Sequence, residues 1–332
     1  MPRALVGLGS NLGDRRATLD AAVARLDGTQ LGGLPQTSVV AQSTWYETDP
    51  IGGPGGQDEF LNGCVLLDTT LAPETLLDEL LRIETALGRV REVPWGPRTL
   101  DLDLLLYDEL VQSSSRLTLP HPRLSYRRFV LRGAIEIAPT LRHPLLDRTL
   151  ADLATHLVAT PRYAAFVGLA PGFRTQFAGE AAHVSGAKLV AATPAGIAAT
   201  VEALIAQESG SDSLTAARAI EFLDARTAAV AESLQEADGA WVLDDAWPAA
   251  EAATLAAQLD GAERERFVAA LPRCLTPSVA PRLIVCVGPT SAVLELRQAA
   301  PEWLVLPPLV AVDIADREAA LMEIAAALQA AE

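Results

Sequence analysis

The residues of this sequence best suited to chemistry are Asp101 and Asp103, within Trp95-Gly96-Pro97-Arg98-Thr99-Leu100-Asp101-Leu102-Asp103-Leu104-Leu105-Leu106-Tyr107. A strand sends alternate side chains to opposite faces. Leu100, Leu102, Leu104 and Leu106 would then form one apolar face, with the two aspartates and Leu105 on the other. Two strand positions span about 7 Å. Carboxylates that close, on a strand with a buried back, repel each other and lose hydration, so they need cations or their pKa values must rise. Magnesium suits them, because it takes hard oxygen ligands and is usually held by one or two carboxylates together with substrate phosphates. An isolated Asp-x-Asp strand reads as a solvated acidic face, but here the surroundings differ. Arg82, Arg89, Arg91, Arg98, Arg116, Arg123, Arg127, Arg128 and Arg132 lie within fifty residues, with no lysine among them. Fork-shaped guanidinium groups in that number point to phosphate oxygens.

Several elements must position these groups. Residues 3–8 read as a strand running into Gly7-Leu8-Gly9-Ser10-Asn11-Leu12-Gly13-Asp14, and a helix follows over 17–26. A second strand, 37–46, leads into a loop rich in Gly and Pro, 47–57, of the kind that often serves as a lid. The strand over 60–68 opens with Phe60-Leu61-Asn62, an aromatic and an amide that suit a flat heterocycle through stacking and edge hydrogen bonds. Residues 73–87 carry a 3.6-residue apolar stripe, with Gly88 as the stop and a second loop over 89–94. Downstream, Pro120-His121-Pro122 holds a histidine between two prolines, beside Arg116 and Arg127.

At 332 residues the chain is long enough for two domains. The formal net charge of −16 argues against a general nucleic-acid binder, which needs a basic surface. The first 157 residues carry 15 of the 26 basic and 20 of the 42 acidic side chains, a net −5, against −11 for the rest. The arginine cluster thus lies in the less acidic half, as expected of a half that handles a small polyanion. No apolar run is long enough to cross a bilayer and the start enters a strand pattern directly, so the expected location is cytoplasmic, with no membrane partner. Cys64, Cys274 and Cys286 lie in apolar runs without metal-site spacing and are expected to be reduced core residues.

Taken together, Gly9-Ser10-Asn11-Leu12-Gly13-Asp14, Phe60-Leu61-Asn62, Gly96-Pro97-Arg98-Thr99-Leu100-Asp101-Leu102-Asp103, Leu119-Pro120-His121-Pro122 and Arg127-Arg128-Phe129 resemble the 6-hydroxymethyl-7,8-dihydropterin pyrophosphokinases of folate biosynthesis. The resemblance spans about residues 3–157 and implies a domain over 1–158 with an α+β ferredoxin-like fold. It implies an enzyme, a 2-amino-4-hydroxy-6-hydroxymethyldihydropteridine diphosphokinase, that moves diphosphate from ATP to the pterin hydroxymethyl oxygen and releases AMP. Asp101 and Asp103 would hold two magnesium ions. Phe60 and Phe129 would sandwich the pterin, with Asn62 and the backbone around Thr48 reading its edges. Arg89 and Arg91 would lie on a closing loop and act with Arg98 in catalysis. Glu84, Arg98, Arg116, His121 and Arg127 would contact ATP.

Residues 159–332 read as a second domain, α/β with a parallel sheet, in which strands at 163–167, 241–245, 283–288 and 309–313 alternate with helices. The run from Gly168 to Thr175 is set out like a Walker A loop, but Phe173 stands at its last glycine and Arg174 at its lysine. The order resembles a bacterial deoxynucleoside kinase with a P-loop fold. The arginine-rich lid such a kinase implies after Arg297 is absent, while Arg226 and Asp244 fall roughly where it has an arginine and an acid. The expectation is a degenerate, non-catalytic half, kept for homodimerisation or for stabilising the first domain. The alternative is a bifunctional enzyme whose second half phosphorylates deoxynucleosides. Two rivals for the whole chain are a non-catalytic regulator and an NAD-linked oxidoreductase built on the early glycine loop. Leu12 takes the place of the third dinucleotide-binding glycine, and that reading leaves the acid pair unexplained.

Overall fold

The structure, a computed structural model, describes residues 1–31, 34–90, 95–168, 171–190, 201–208, 214–288, 296–298, 300–301 and 303–332. The chain forms two compact units, Met1–Thr155 with Gln329–Ala331, and His156–Leu328 with Glu332.

In the first unit, strand β1 (Arg3–Ser10) is followed by helix α1 (Arg15–Leu26), strands β2 (Thr37–Gln42), β3 (Tyr46–Thr48) and β4 (Phe60–Thr69), helix α2 (Pro73–Ala86), strand β5 (Asp101–Tyr107) and helix α3 (Arg128–Ile137). The sheet is antiparallel in the order β2-β4-β1-β5, with β3 paired to β4. Leaving β3 aside, this is the β-α-β-β-α-β order of a ferredoxin-like fold. Asp14 caps α1, its carboxylate accepting from the Ala17 N–H at 3.0 Å. Leu19, Ala22 and Leu26 of α1 and Leu76, Leu80 and Ile83 of α2 pack with Val6, Leu8, Val65, Leu67, Leu102 and Leu104 in one core on one side of the sheet. Each such Leu or Ile contributes roughly 1.5–3 kcal/mol by leaving water.

One expected feature of β5 differs. The β1–β5 register slips between Leu5 and Val6, pairing Val6 with Leu104 but Leu5 with Leu106, so Leu105 is the extra residue of a β-bulge. Leu106 therefore leaves the face of Leu102 and Leu104, and Tyr107 packs against their core instead. The strand expected over 37–46 also breaks: β2 ends at Gln42, and the Ser43 hydroxyl takes the Cys64 N–H at 2.8 Å.

In the second unit, helix α4 (Leu150–Ala159) leads from the first unit to β6 (Tyr163–Gly168), followed by α5 (Pro171–Ser185), β7 (Lys188–Leu189), α6 (Val201–Glu208), α7 (Ala216–Glu236), β8 (Val242–Asp244), α8 (Pro248–Gln258), α9 (Gly261–Cys274), β9 (Leu283–Val287), β10 (Leu309–Val312) and α10 (Arg317–Ala330). The sheet is wholly parallel in the order β7-β8-β6-β9-β10. Its central strands are buried almost throughout, as a sheet covered on both faces requires. Phe222, Leu223, Leu255, Phe267 and Leu271 join α7, α8 and α9 in a helical core.

Of the Walker-A-like run, Leu169 and Ala170 lie outside the described residues, as do residues 291–295 near the expected lid. Helix α5 already begins at Pro171, so Phe173 is in its first turn, where it is 64% exposed. Gly168 has a positive φ of 95°, and a Cβ there would come within 2.2 Å of the Val287 carbonyl oxygen. Glycine at this position thus has a packing reason independent of any ligand. Cys64, Cys274 and Cys286 are free and buried, as expected. Among the described residues no helix is long and apolar enough to cross a membrane.

Candidate active site

Register alone brings the expected site residues together on the face of the first sheet opposite the α1–α2 core. Gly9 of β1 pairs with Asn62 of β4 on one side and Asp101 of β5 on the other, and Gly7 pairs with Cys64 and Asp103. Alternation sends these positions away from Leu8, Leu102 and Leu104. The glycines make a low floor between an amide and two carboxylates. A Cβ on Gly9 would lie 2.6 Å from the Asn62 side-chain oxygen, so only glycine leaves that amide its place. Gly7 and Gly9 are thus strand residues in a sheet floor, which removes the dinucleotide-loop reading.

Over this floor lies a cavity of about 320 Å³ lined by Thr48, Phe60, Asn62, Arg89, Arg98, Asp101, Asp103, His121, Arg127 and Phe129 among others. At its aromatic end, Phe60 begins β4 and Phe129 sits in the first turn of α3, both half-buried. The Asn62 amide donates to the Thr48 hydroxyl at 2.7 Å, which fixes the amide edge facing the cavity.

At the charged end, Asp101 accepts from Arg89 at 2.7 Å and from Arg98 at 2.8 Å. Asp103 faces Arg127 at 3.3 Å and His121 at 3.9 Å. Burial would raise the Asp103 carboxyl, yet His121, Arg127, Arg98 and Arg123 together hold it below its ordinary value. Burial lowers His121, with Arg127 and Arg123 adding to the effect against Asp103 and Asp101. The imidazole is therefore neutral at pH 7. Its Nδ1 accepts the Arg123 backbone N–H at 3.1 Å, which leaves the proton on Nε2, facing Asp103 and the cavity. The bulge has a use here: the His121 N–H donates to the Leu105 carbonyl at 2.8 Å, anchoring the Pro-His-Pro segment to β5.

Glu84 lies behind this array, buried, rather than in the cavity lining. Its carboxylate accepts from the Leu102 N–H at 2.8 Å and from the Arg89 guanidinium. Gly88, at φ 85°, turns the chain so that the Arg89 N–H meets the Glu84 carbonyl at 3.0 Å and the side chain folds back over its helix. Arg116 is not brought to the cavity lining; it is exposed and pairs with Asp78. Arg91 lies outside the described residues. Lining residues without an assigned role from sequence reasoning include Trp95 and Arg123, whose guanidinium lies 4.6 Å from the indole centroid. Their positions in the Trp-Gly-Pro-Arg and His-Pro-Arg runs were the available signal.

The donor set suits a hard divalent cation. Two carboxylates share one face, and among the described residues no group of three or more His, Cys, Asp or Glu side chains is arranged to cage a metal. A magnesium ion completes its shell with water and phosphate oxygens, so two carboxylates suffice.

The family described as 7,8-dihydro-6-hydroxymethylpterin-pyrophosphokinase matches residues 5–139. A 2-amino-4-hydroxy-6-hydroxymethyldihydropteridine pyrophosphokinase from Pseudomonas aeruginosa is 48% identical over 142 residues, 43% of this chain and 84% of the relative. One from Methylorubrum extorquens is 50% identical over 141 residues, 42% of this chain and 85% of the relative. One from Synechocystis is 40% identical over 169 residues, 51% of this chain and 83% of the relative.

Proposed function

The chain belongs to the 7,8-dihydro-6-hydroxymethylpterin-pyrophosphokinase family, and we propose from that premise how its site transfers diphosphate from ATP to 6-hydroxymethyl-7,8-dihydropterin in folate biosynthesis. The observation that carries the mechanism is one cavity with an aromatic–amide end and an end where paired aspartates are ringed by arginines. Phe60 and Phe129 stack on the pterin, and Asn62, set by Thr48, reads its edge. The hydroxymethyl oxygen bonds to the β-phosphorus of ATP and gives up its proton to water, the bond from that phosphorus to the oxygen shared with the α-phosphorus breaks, and AMP leaves with that oxygen. Asp101 and Asp103 would hold two magnesium ions, which would supply neutralisation of phosphate charge. Arg89 and Arg98 stabilise charge on the transferred group, a part the family resemblance also gives Arg91. Arg127 and the Nε2–H of His121 contact ATP oxygens. Glu84 acts through Arg89, and Arg116 meets ATP only by leaving Asp78. The protein thus aligns reactants and balances charge rather than forming a covalent intermediate. AMP formation from ATP that requires the hydroxymethyl pterin tests this reading; ATP turnover indifferent to the pterin would end it.

For the second unit, we propose a degenerate P-loop-kinase-like domain, related to deoxynucleoside kinases, fused to the enzyme and serving homodimerisation or stability. Its parallel order β7-β8-β6-β9-β10 and the early start of α5, which puts Phe173 in a helical turn, support this. A cytoplasmic location accords with both units. Full-length protein carrying Asp101→Ala should phosphorylate no deoxynucleoside; saturable phosphorylation would establish the bifunctional alternative.

A further inference from the structure

Arg123 lines the cavity beside the acid pair, and its guanidinium lies over the Trp95 indole. The indole is itself fixed. Trp95 has a φ of 61°, a left-handed backbone that a large side chain adopts only when its surroundings impose it. The Gln57 amide donates to the Trp95 carbonyl at 3.1 Å. Gly52 packs against it, and a Cβ there would lie 2.6 Å from the indole Cε3. The indole is therefore in contact with both a glycine backbone and a guanidinium.

A guanidinium held over an indole gains cation–π attraction, which restricts where its fork can lie. That arrangement orients the fork at little entropic cost and suits a planar grip on phosphate oxygens. Arg123 is also tied through its backbone N–H to His121. We propose that Arg123, oriented by Trp95, is a further phosphate-binding residue of this site, gripping the ATP phosphate chain during diphosphate transfer.

This rests on the transferase reading. Full-length Arg123→Ala, Arg123→Met and Arg123→Lys would be assayed for kcat and KM with each substrate, for pterin binding without nucleotide, and for thermal unfolding. Removing a pre-oriented cation from a developing anion should lower kcat/KM for ATP by about a hundredfold. Pterin affinity and melting temperature should stay at wild-type values. Methionine keeps an apolar stem on the indole and should behave like alanine, whereas lysine should restore part of the loss. A purely structural role would instead lower pterin affinity and melting temperature in step with activity, and that result, or wild-type kcat/KM in Arg123→Met, would overturn the proposal. Absence of pterin-dependent AMP release in the wild type would overturn the reading beneath it, a separate outcome.

Discussion

Asp101 and Asp103 differ in their dependence on neighbours, and each can be tested by removing charge while keeping shape. Asp101→Asn and Asp103→Asn should each reduce AMP release by about a hundredfold or more, because phosphoryl-type transfer depends on positioning and charge neutralisation. The melting temperature of Asp101→Asn should hold, since that carboxylate is 23% exposed, whereas Asp103→Asn also gives up the stabilisation that its lowered carboxyl contributes. Near-normal turnover in either variant would sink the metal assignment. Glu84 makes the opposite case. It is 2% exposed, and the same oxygen serves Leu102 and Arg89. Glu84→Gln can keep the Leu102 hydrogen bond but loses the charge opposite Arg89, which costs about 1–3 kcal/mol. We expect lower stability together with a fall in kcat, and rescue of neither by excess ATP. A variant with altered KM for ATP alone would instead assign Glu84 to direct nucleotide contact.

At the scale of elements, much of the site was legible because alternation is a local property. The sequence placed Asp101 and Asp103 on one face, Phe60 and Asn62 at a strand start, and a helix over 73–87 where α2 runs Pro73–Ala86. Contacts set by a distant partner were less accessible. The bulge at Leu105 arises from the pairing of β5 with β1, and nothing in the run of leucines marks which residue is extra. The inward turn of Arg89 depends on Gly88, and the Arg123–Trp95 stack joins segments far apart in the chain. The early glycines were read as a loop because their strand role needs Asn62 beside Gly9. Gly9→Ala tests that role: its Cβ would displace the Asn62 amide, while the aspartates on the neighbouring strand keep their arginines. Pterin affinity should fall by about tenfold, the scale of one lost buried hydrogen bond, with binding of an ATP analogue much less affected. Equal losses for both ligands would mean a collapsed sheet rather than a blocked amide.

The two units should answer pH in opposite directions. In the first, burial depresses His143 to about 4, against an opposing hydrogen bond to its own backbone, and also lowers His121. A histidine whose folded pKa lies below its unfolded value of about 6.5 binds fewer protons when folded. Its contribution is complete above about pH 6.5 and fades as pH falls, and the lowered Asp103 acts in the same sense at more acidic pH. The second unit buries two carboxylates around one guanidinium. Asp244 meets Arg226 at 2.8 Å and the Tyr163 hydroxyl at 3.0 Å, Glu251 meets Arg226 at 3.4 Å, and Asp245 lies beside them with Arg174 on its carbonyl. Burial raises Asp244 to about 6 and Glu251 to about 7, with Arg226 only partly opposing it. The folded cluster therefore holds more protons than the unfolded chain, and its stabilisation is lost as pH rises from about 4, the ordinary carboxylate range, through these values. Calorimetry of the full chain from pH 5 to pH 7.5 should move the transition of the first unit up and that of the second down. Arg226→Met should lower only the second transition, most strongly at pH 7.5, because removing one partner of a buried ion pair costs about 3–5 kcal/mol while the carboxylates remain ionised. Parallel movement of both transitions, or an Arg226→Met effect independent of pH, would show that the excess buried charge does not set the stability of the second unit.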